Sequence, residues 1–153
     1  MASKTTKEVF FQLVRLGIGH ELVNCSGFTG YGFVDWEELQ ALAEQQGLLA
    51  VVADGMDYLK THGEGGLMEL PPKPVMLQII GQVLQNYEYR HELYRRAIAE
   101  LAGWYNEHGF KMMVLKGYAC ALDWPKPEHR PSGDIDVWLF GQQAAADKAL
   151  GSW

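Results

Sequence analysis

Two aspartates, Asp134 and Asp136, stand two residues apart at the start of an apolar run that extends to Phe140. In a β-strand, side chains two residues apart point to the same face, so the two carboxylates would lie side by side. Adjacent carboxylates repel each other near apolar packing unless a cation lies between them. A hard ion such as Mg²⁺ or Mn²⁺ suits this role because it prefers oxygen ligands. An isolated Asp-x-Asp at a loop-to-strand junction can also lie in water without a metal, so the neighbouring residues must decide.

The residues before this pair predict a strand, a tight turn and a short helix. Residues 112–115 are apolar and end at a lysine and a glycine, which is typical of a buried strand followed by a turn. Residues 118–122 predict the helix. A glycine allows a phosphate to approach the backbone closely, and the free N–H groups at a helix start attract it. Residues 123–133 contain three prolines and a glycine, which predicts a loop leading into Asp134.

Three motifs follow one another along this segment. They are Leu115-Lys116-Gly117, a proline-bearing loop that contains Arg130, and Gly133-Asp134-Ile135-Asp136. With this order, the chain resembles the nucleotidyltransferase superfamily that includes DNA polymerase beta. More narrowly, it resembles the bacterial group of uncharacterised nucleotidyltransferase-like proteins. The resemblance covers residues 111–150, and it depends on the combination of motifs because no single motif would be enough.

The resemblance implies a role for each of these residues. Asp134 and Asp136 would be the catalytic pair and would hold Mg²⁺ or Mn²⁺, which neutralises charge on the nucleotide phosphates. Five further residues would contact the nucleotide: Lys116, Gly117, Arg130, Ser132 and Gly133. The arginine suits a phosphate because its guanidinium forms a bidentate fork. The implied enzyme transfers a nucleoside monophosphate from an NTP to an acceptor that the sequence does not identify.

Two features depart from the superfamily pattern. The superfamily usually has Gly-Gly or Gly-Ser after its first strand, whereas this chain has Lys116-Gly117, a change that the narrower group shares. The superfamily also uses a third carboxylate on a later strand. Residues 141–153 predict a helix instead, with Asp147 inside it. We therefore expect the chain to be the N-terminal part of a longer protein.

Two other functional hypotheses remain open at this point. The first is a catalytically inactive nucleotidyltransferase-like module that binds a partner or senses nucleotides, and the helical region is a candidate surface for homo-oligomer formation. The second is a helical interaction module in which Asp134 and Asp136 only cap a strand. Metal titration separates the second hypothesis from the other two.

Composition limits the class of protein. The chain has 153 residues with 48% hydrophobic and 21% charged content, which is typical of a globular protein with one domain, or one small domain and part of another. A net charge of −6 argues against nonspecific nucleic-acid binding. The first residues do not resemble a signal peptide and no apolar run is long enough to span a membrane, so we expect a cytoplasmic protein. Cys25 and Cys120 lack metal-site spacing and are expected to be free thiols.

Residues 1–108 predict an all-helical region, and residues 109–153 predict the start, in β-α-β order, of a nucleotidyltransferase fold. The expected fold class is therefore α+β. Apolar spacing and caps predict helices over residues 5–16, 35–46, 48–60 and 75–108. Asp35 is the expected N-cap of the second helix. Residues 51–52 could instead be strand, and the last segment is either one long helix or two with a bend near Tyr89.

The charged residues and histidines outside the motifs are expected to lie at the surface. On the long helix, three arginines are expected to pair with glutamates at helical offsets rather than bind phosphate: Arg90, Arg95 and Arg96 with Glu88, Glu92 and Glu100. No pair of histidines has metal-site spacing, and we expect them at the surface: His20, His62, His91, His108 and His129. The glycine-rich residues 27–32 predict an inter-helix loop, since a phosphate loop would also need a preceding strand and a following lysine.

Overall fold

A computed structural model describes residues 4–19, 33–62 and 69–151. In chain order its elements are α1 (Lys4–Gly17), α2 (Trp36–Gln45), α3 (Leu49–His62), α4 (Lys73–Val83), a π-helical turn (Leu84–Glu88), α5 (Tyr89–Glu107), β1 (Met113–Leu115), α6 (Gly117–Ala121), a 3₁₀ turn (Pro127–His129), β2 (Asp136–Trp138) and α7 (Gln143–Leu150). Helices with one small sheet confirm the α+β class. The predictions for residues 27–32, Cys25 and His20 lie outside the described residues.

The chain divides into two compact units, Met1–Tyr87 and Glu88–Trp153. In the described residues, the first unit contains α1 to α4 and the second contains α5, the sheet, α6 and α7. The domains predicted from sequence, residues 1–108 and 109–153, stay a prediction. Every residue of the predicted nucleotide site lies in the second unit.

The core of the first unit forms where apolar residues recur at helical spacing. On α1, Val9 and Leu13 are fully buried, and on α3 so is Val52. Glycine lets these helices touch backbone to backbone: a Cβ on Gly55 would lie 2.1 Å from the Leu13 carbonyl oxygen. Helix α3 is continuous through residues 51–52, so the alternative of a strand there is wrong.

The predicted cap of α2 is confirmed. An oxygen of the Asp35 carboxylate accepts a hydrogen bond of 3.0 Å from the Glu38 N–H, which satisfies one of the free donors at the helix start. Gly47 then adopts a φ of +65°, in the left-handed region that glycine enters at little cost. Local chemistry therefore determines both ends of this helix.

The long helical segment is interrupted once. Helix α4 has Pro74 in its first turn, and the hydrogen-bond pattern changes to π over Leu84–Glu88 before α5 begins at Tyr89. This interruption agrees with the two-helix alternative. No helix among the described residues is both long enough and apolar enough to cross a membrane.

The arginine pairing on α5 is confirmed for two of the three arginines. The Nε atoms of Arg95 and Arg96 lie 2.6 Å and 2.8 Å from the two oxygens of Glu92. Arg90 differs, because its guanidinium donates to the hydroxyl of Tyr94. That tyrosine belongs to the candidate site described below.

The sheet of the second unit is an antiparallel pair in which Leu115 lies opposite Asp136 and Met113 opposite Trp138. The core of this unit is a cluster of three buried residues, which come from α5, from the position after β2 and from α7: Tyr105, Leu139 and Ala146. Partly buried apolar residues pack around them. The apolar run of the sequence extends to Phe140, whereas β2 ends at Trp138. A φ of +54° at Phe140 turns the chain out of the extended conformation. The predicted helix after it is confirmed as α7.

Candidate active site

A strained turn joins β1 to α6. Lys116, which follows the last residue of β1, has φ +45° and ψ −147°, a conformation that is almost confined to glycine. Holding another residue there costs about 1–3 kcal/mol and requires that the surrounding structure impose it. Such outliers are concentrated at functional sites, so this turn is the first structural indication of one.

Gly117 allows the second strand to approach this turn. Its φ is +26°, and a Cβ at this position would lie 3.3 Å from the Asp134 carbonyl oxygen. Gly117 comes two residues after Leu115 and Asp134 two residues before Asp136, so the antiparallel pairing of Leu115 with Asp136 brings the two segments close to each other. A larger residue would push apart the two segments that carry the predicted site.

Arg130 holds the same turn from the proline-rich loop. Its Nη1 atom donates a hydrogen bond of 2.7 Å to the Gly117 carbonyl oxygen, and its guanidinium carbon lies 5.9 Å from the centre of the Trp124 ring. A charged donor makes this backbone contact stronger than a neutral one would. The arginine therefore positions the turn, and its predicted contact with the nucleotide stays a prediction.

Lys116 and Asp136 form an ion pair across the two strands. The Lys116 Nζ atom lies 3.2 Å from Asp136 Oδ2, with the lysine side chain 72% exposed and the aspartate side chain 30% exposed. Among the described residues, no hydrogen bond reaches this buried Oδ2 atom. The contact is therefore a charge interaction whose angles are poor for hydrogen bonding. The lysine offsets the carboxylate charge and leaves its oxygen able to accept a further ligand.

Ser132 contributes a second buried oxygen. Its Oγ atom has no hydrogen-bond partner among the described residues, and it lies 3.9 Å from the Cβ position of Gly117. A buried polar atom without a partner is unfavourable, and natural proteins keep few of them. Ser132 and Asp136 thus both face the strained turn with unused hydrogen-bonding capacity.

Asp134 is exposed. It lies before the strand, since β2 begins only at Asp136. Strand alternation therefore does not determine the direction of its carboxylate, contrary to the sequence argument. Its neighbour Gly133 is held from α5: the Tyr94 hydroxyl donates a hydrogen bond of 3.0 Å to the Gly133 carbonyl oxygen. The same hydroxyl accepts a hydrogen bond of 3.2 Å from the Arg90 guanidinium.

The pair formed by Arg90 and Tyr94 was missed in the sequence. Its spacing of four residues on a helix indicates that the two side chains can meet. Nothing in the local sequence indicates the contact with Gly133, which lies 39 residues further along the chain. Helix α5 therefore supports the backbone that immediately precedes Asp134.

The histidine predictions have mixed outcomes. His62 and His108 are exposed, as expected. His129 is buried, with 6% of its surface accessible, so the surface prediction was wrong for this residue. It ends the 3₁₀ turn, and its Nε2 atom lies 3.3 Å from a carboxylate oxygen of Glu88, which gives the buried ring a polar partner. His91 is partly buried and stacks on Tyr118 with ring centres 4.9 Å apart.

The donor set of the site suits a hard cation. It would consist of the carboxylates of the predicted ligands Asp134 and Asp136 and of the Ser132 hydroxyl, all of them oxygens. Across the described residues, no group of three or more His, Cys, Asp or Glu side chains could hold a metal ion. A Mg²⁺ ion is compatible with two carboxylates, because water and substrate phosphates complete its coordination.

The architecture at this point is a strand, a glycine turn and a short helix, packed against an antiparallel strand that begins with an aspartate. This is the class of arrangement that the nucleotidyltransferase resemblance implied. A sequence model of the family described as "uncharacterised nucleotidyltransferase" matches residues 33–152. Because the match covers most of the chain, the chain belongs to this family. It also reaches beyond the motif segment and includes α2 to α5.

No match was found among curated proteins, and none among solved structures. The family assignment therefore rests on the sequence model that matches residues 33–152.

Proposed function

We propose that this chain carries the nucleotide site of a nucleotidyltransferase, which moves a nucleoside monophosphate from an NTP to an acceptor. The observation that carries the proposal is the pairing of Lys116 with Asp136 beside a strained glycine turn. A cation and a carboxylate with unused capacity, at the ends of two paired strands, suit a ligand that brings both phosphates and a divalent ion. Membership of the family supports the same reaction.

In this reaction the oxygen of the acceptor forms a bond to the α-phosphorus of the NTP. The bond from that phosphorus to the oxygen bridging to the β-phosphate breaks, pyrophosphate leaves, and the acceptor proton is released. Asp134 and Asp136 would hold a divalent cation, Mg²⁺ or Mn²⁺, which when bound supplies charge neutralisation for the phosphates. The Lys116 ammonium group attracts the same phosphates, and Ser132 Oγ offers them a donor.

Gly117, Arg130 and Gly133 act through the backbone. Glycine at 117 lets the phosphate-facing turn lie against the aspartate-bearing segment, while Arg130 keeps that turn in place through its carbonyl oxygen. We place the activity in the cytoplasm, because the exposed free thiol of Cys120 suits a reducing compartment. The partners of the protein are then an NTP and a hydroxyl- or phosphate-bearing acceptor.

A second candidate is a module that binds nucleotides without turning them over. It is favoured by the finding that, within the described residues, no group of three or more His, Cys, Asp or Glu side chains could hold a metal ion. Binding without product formation in a long incubation with NTP would favour this candidate.

The test is calorimetric titration of a non-hydrolysable NTP analogue in the presence of Mn²⁺. We expect Asp136→Asn to weaken binding at least about tenfold, because even residues that only support a metal ligand cost that much. Asp134→Asn should act in the same direction. Asp147→Asn, on the exposed surface of α7, is the matched control and should bind like the unchanged protein.

Equal affinity of the unchanged protein and Asp136→Asn would contradict the proposal. Thermal unfolding of each variant verifies the fold, and we expect only a small change for Asp136→Asn because the lysine partner is mostly exposed.

A further inference from the structure

The sheet has two faces of different character. Met112 and Leu139 pack into the second core cluster, whereas the residues that alternate with them are exposed. Met113 is 40% exposed, Trp138 48% and Phe140 50%. Met113 and Trp138 lie opposite each other in the two strands, so their side chains are on one face of the sheet, and their exposure shows that this face points away from the core. The ring of Phe140, which follows the strand, stacks on Trp138 and so lies on the same side. We call this surface the open face.

The open face presents a planar aromatic surface. The rings of Trp138 and Phe140 stack with their centres 4.7 Å apart and an angle of 21° between their planes. Met113 lies directly opposite Trp138 on β1. An aromatic stack with a thioether beside it suits contact with another flat ring, because sulfur and aromatic groups both interact favourably with π-systems.

The same face carries the charged part of the candidate site. Asp136 and Trp138 are two residues apart in β2, so their side chains point to one face and their Cα atoms are about 7 Å apart. The ammonium group of Lys116 lies beside the carboxylate of Asp136. A ligand that covers this face must therefore combine an anionic end with a flat apolar end.

We propose that the open face binds the nucleobase of the NTP, with Trp138 as the stacking residue and Met113 and Phe140 beside it. This inference rests on the proposed function, because it places the phosphates of the same nucleotide at Lys116 and Asp136. Exposed aromatic groups of this size are unfavourable in water and commonly mark binding surfaces. Stacking accepts any base, because every base has a π-face. The site therefore discriminates weakly among the four bases.

The experiment compares two ligands that differ in the base. A non-hydrolysable ATP analogue and inorganic tripolyphosphate are each titrated with Mn²⁺ into the unchanged protein and into Trp138→Leu. Leucine keeps the position apolar and removes the ring. Tyr89→Leu is the matched control, because it removes an aromatic ring that is 62% exposed on α5.

We expect Trp138→Leu to weaken binding of the ATP analogue about tenfold, in the range found for base–aromatic stacking, and to leave tripolyphosphate binding unchanged. Tyr89→Leu should change neither. Equal ATP-analogue affinity in the Trp138→Leu variant and the unchanged protein would overturn the inference, as would an equal loss for both ligands. Loss of a dimer in Trp138→Leu, measured by sedimentation, would also overturn it by assigning the face to a second copy of the chain.

Failure of the two proposals can be told apart. If the base does not stack on Trp138, Asp136→Asn still weakens binding of both ligands at least about tenfold, while Trp138→Leu leaves the binding of both ligands unchanged. If Asp136→Asn has no effect on either ligand, the nucleotide site itself is wrong, and this inference is overturned with it.

Discussion

Two features of the structure require glycine at position 117. Its positive φ disfavours any side chain, and a Cβ would crowd the carbonyl oxygen of Asp134. Its neighbour Lys116 adopts the strained backbone conformation although it has a side chain, and the ammonium group of that side chain lies beside Asp136. The Lys-Gly sequence thus combines charge at one position with backbone freedom at the next.

We predict that Gly117→Ala lowers the free energy of unfolding by about 1–3 kcal/mol, because alanine would be strained at this φ and would crowd the facing backbone. Gly103→Ala is the matched control. It lies within α5 with no atom within 4 Å of its Cβ position, and it should raise stability by about 0.5–1 kcal/mol. Urea unfolding measures both changes. A Gly117→Ala variant as stable as the unchanged protein would show that the turn tolerates a side chain.

At the scale of elements, α5 carries both a cluster of surface ion pairs and a side chain that supports the candidate site. One part of it carries the Glu92 cluster with Arg95 and Arg96, and another part provides Tyr94, which holds Gly133. The sequence predicted the first contact because it is local to the helix. The second contact joins the helix to the proline-rich loop and depends on the tertiary fold.

The Glu92 cluster makes a pH-dependent contribution that can be measured. Hydrogen bonds from Arg95 and Arg96 lower the pKa of Glu92 from 4.5 to about 2. A lowered pKa in the folded state means that the stabilisation is complete above about pH 4.5 and is lost as the pH falls towards 2. The side chains are largely in water, so the effect on overall stability is small.

We predict that Arg95→Gln and Arg96→Gln, singly and together, raise the pKa of Glu92 towards 4.5, the greatest rise occurring in the double variant. Carbon-detected NMR of the side-chain carboxyl group measures this titration. Arg15→Gln removes an exposed arginine from α1 and should leave the Glu92 titration unchanged. An unaltered Glu92 midpoint in the double variant would mean that the ion pairs do not form in solution.

At the scale of the whole molecule, the described residues form two compact units with separate hydrophobic clusters. The family match over residues 33–152 includes parts of both units, so the family pattern is not limited to the motif segment. The helices of the first unit depend on a core of their own, in which α1 and α3 approach closely at Gly55.

Separate cores predict separate responses to a core substitution. In Gly55→Ala the new Cβ would lie 2.1 Å from the Leu13 carbonyl oxygen, so α1 and α3 must move apart. We expect amide hydrogens of α1 and α3 to exchange faster, while those of β1 and β2 keep their protection. Gly81→Ala, which has no atom within 4 Å of its Cβ position, is the control and should leave exchange unchanged or slower. A uniform loss of protection would indicate a single cooperative unit.

The sequence alone predicted most of the helices and the order of strand, turn and short helix in the segment of the candidate site. The apolar spacing on α1 and the Asp35 cap act within a few residues, so they can be read without the fold. The end of the second strand could not be read from the sequence, because a positive φ at Phe140 leaves no sign in an apolar run. The sequence also placed His129 at the surface, since burial of a short turn depends on what packs over it.

What the sequence by itself determined is the order of local elements and the motif combination that indicates the family, because helix periodicity, caps and turn residues act between near neighbours. Only the tertiary structure decided that Lys116 pairs with Asp136, that Tyr94 supports Gly133, and that Met113 lies opposite Trp138. These contacts follow from the antiparallel register and from α5 lying against the proline-rich loop. The physical reason is that such contacts join residues far apart in the chain, whose proximity no local pattern specifies.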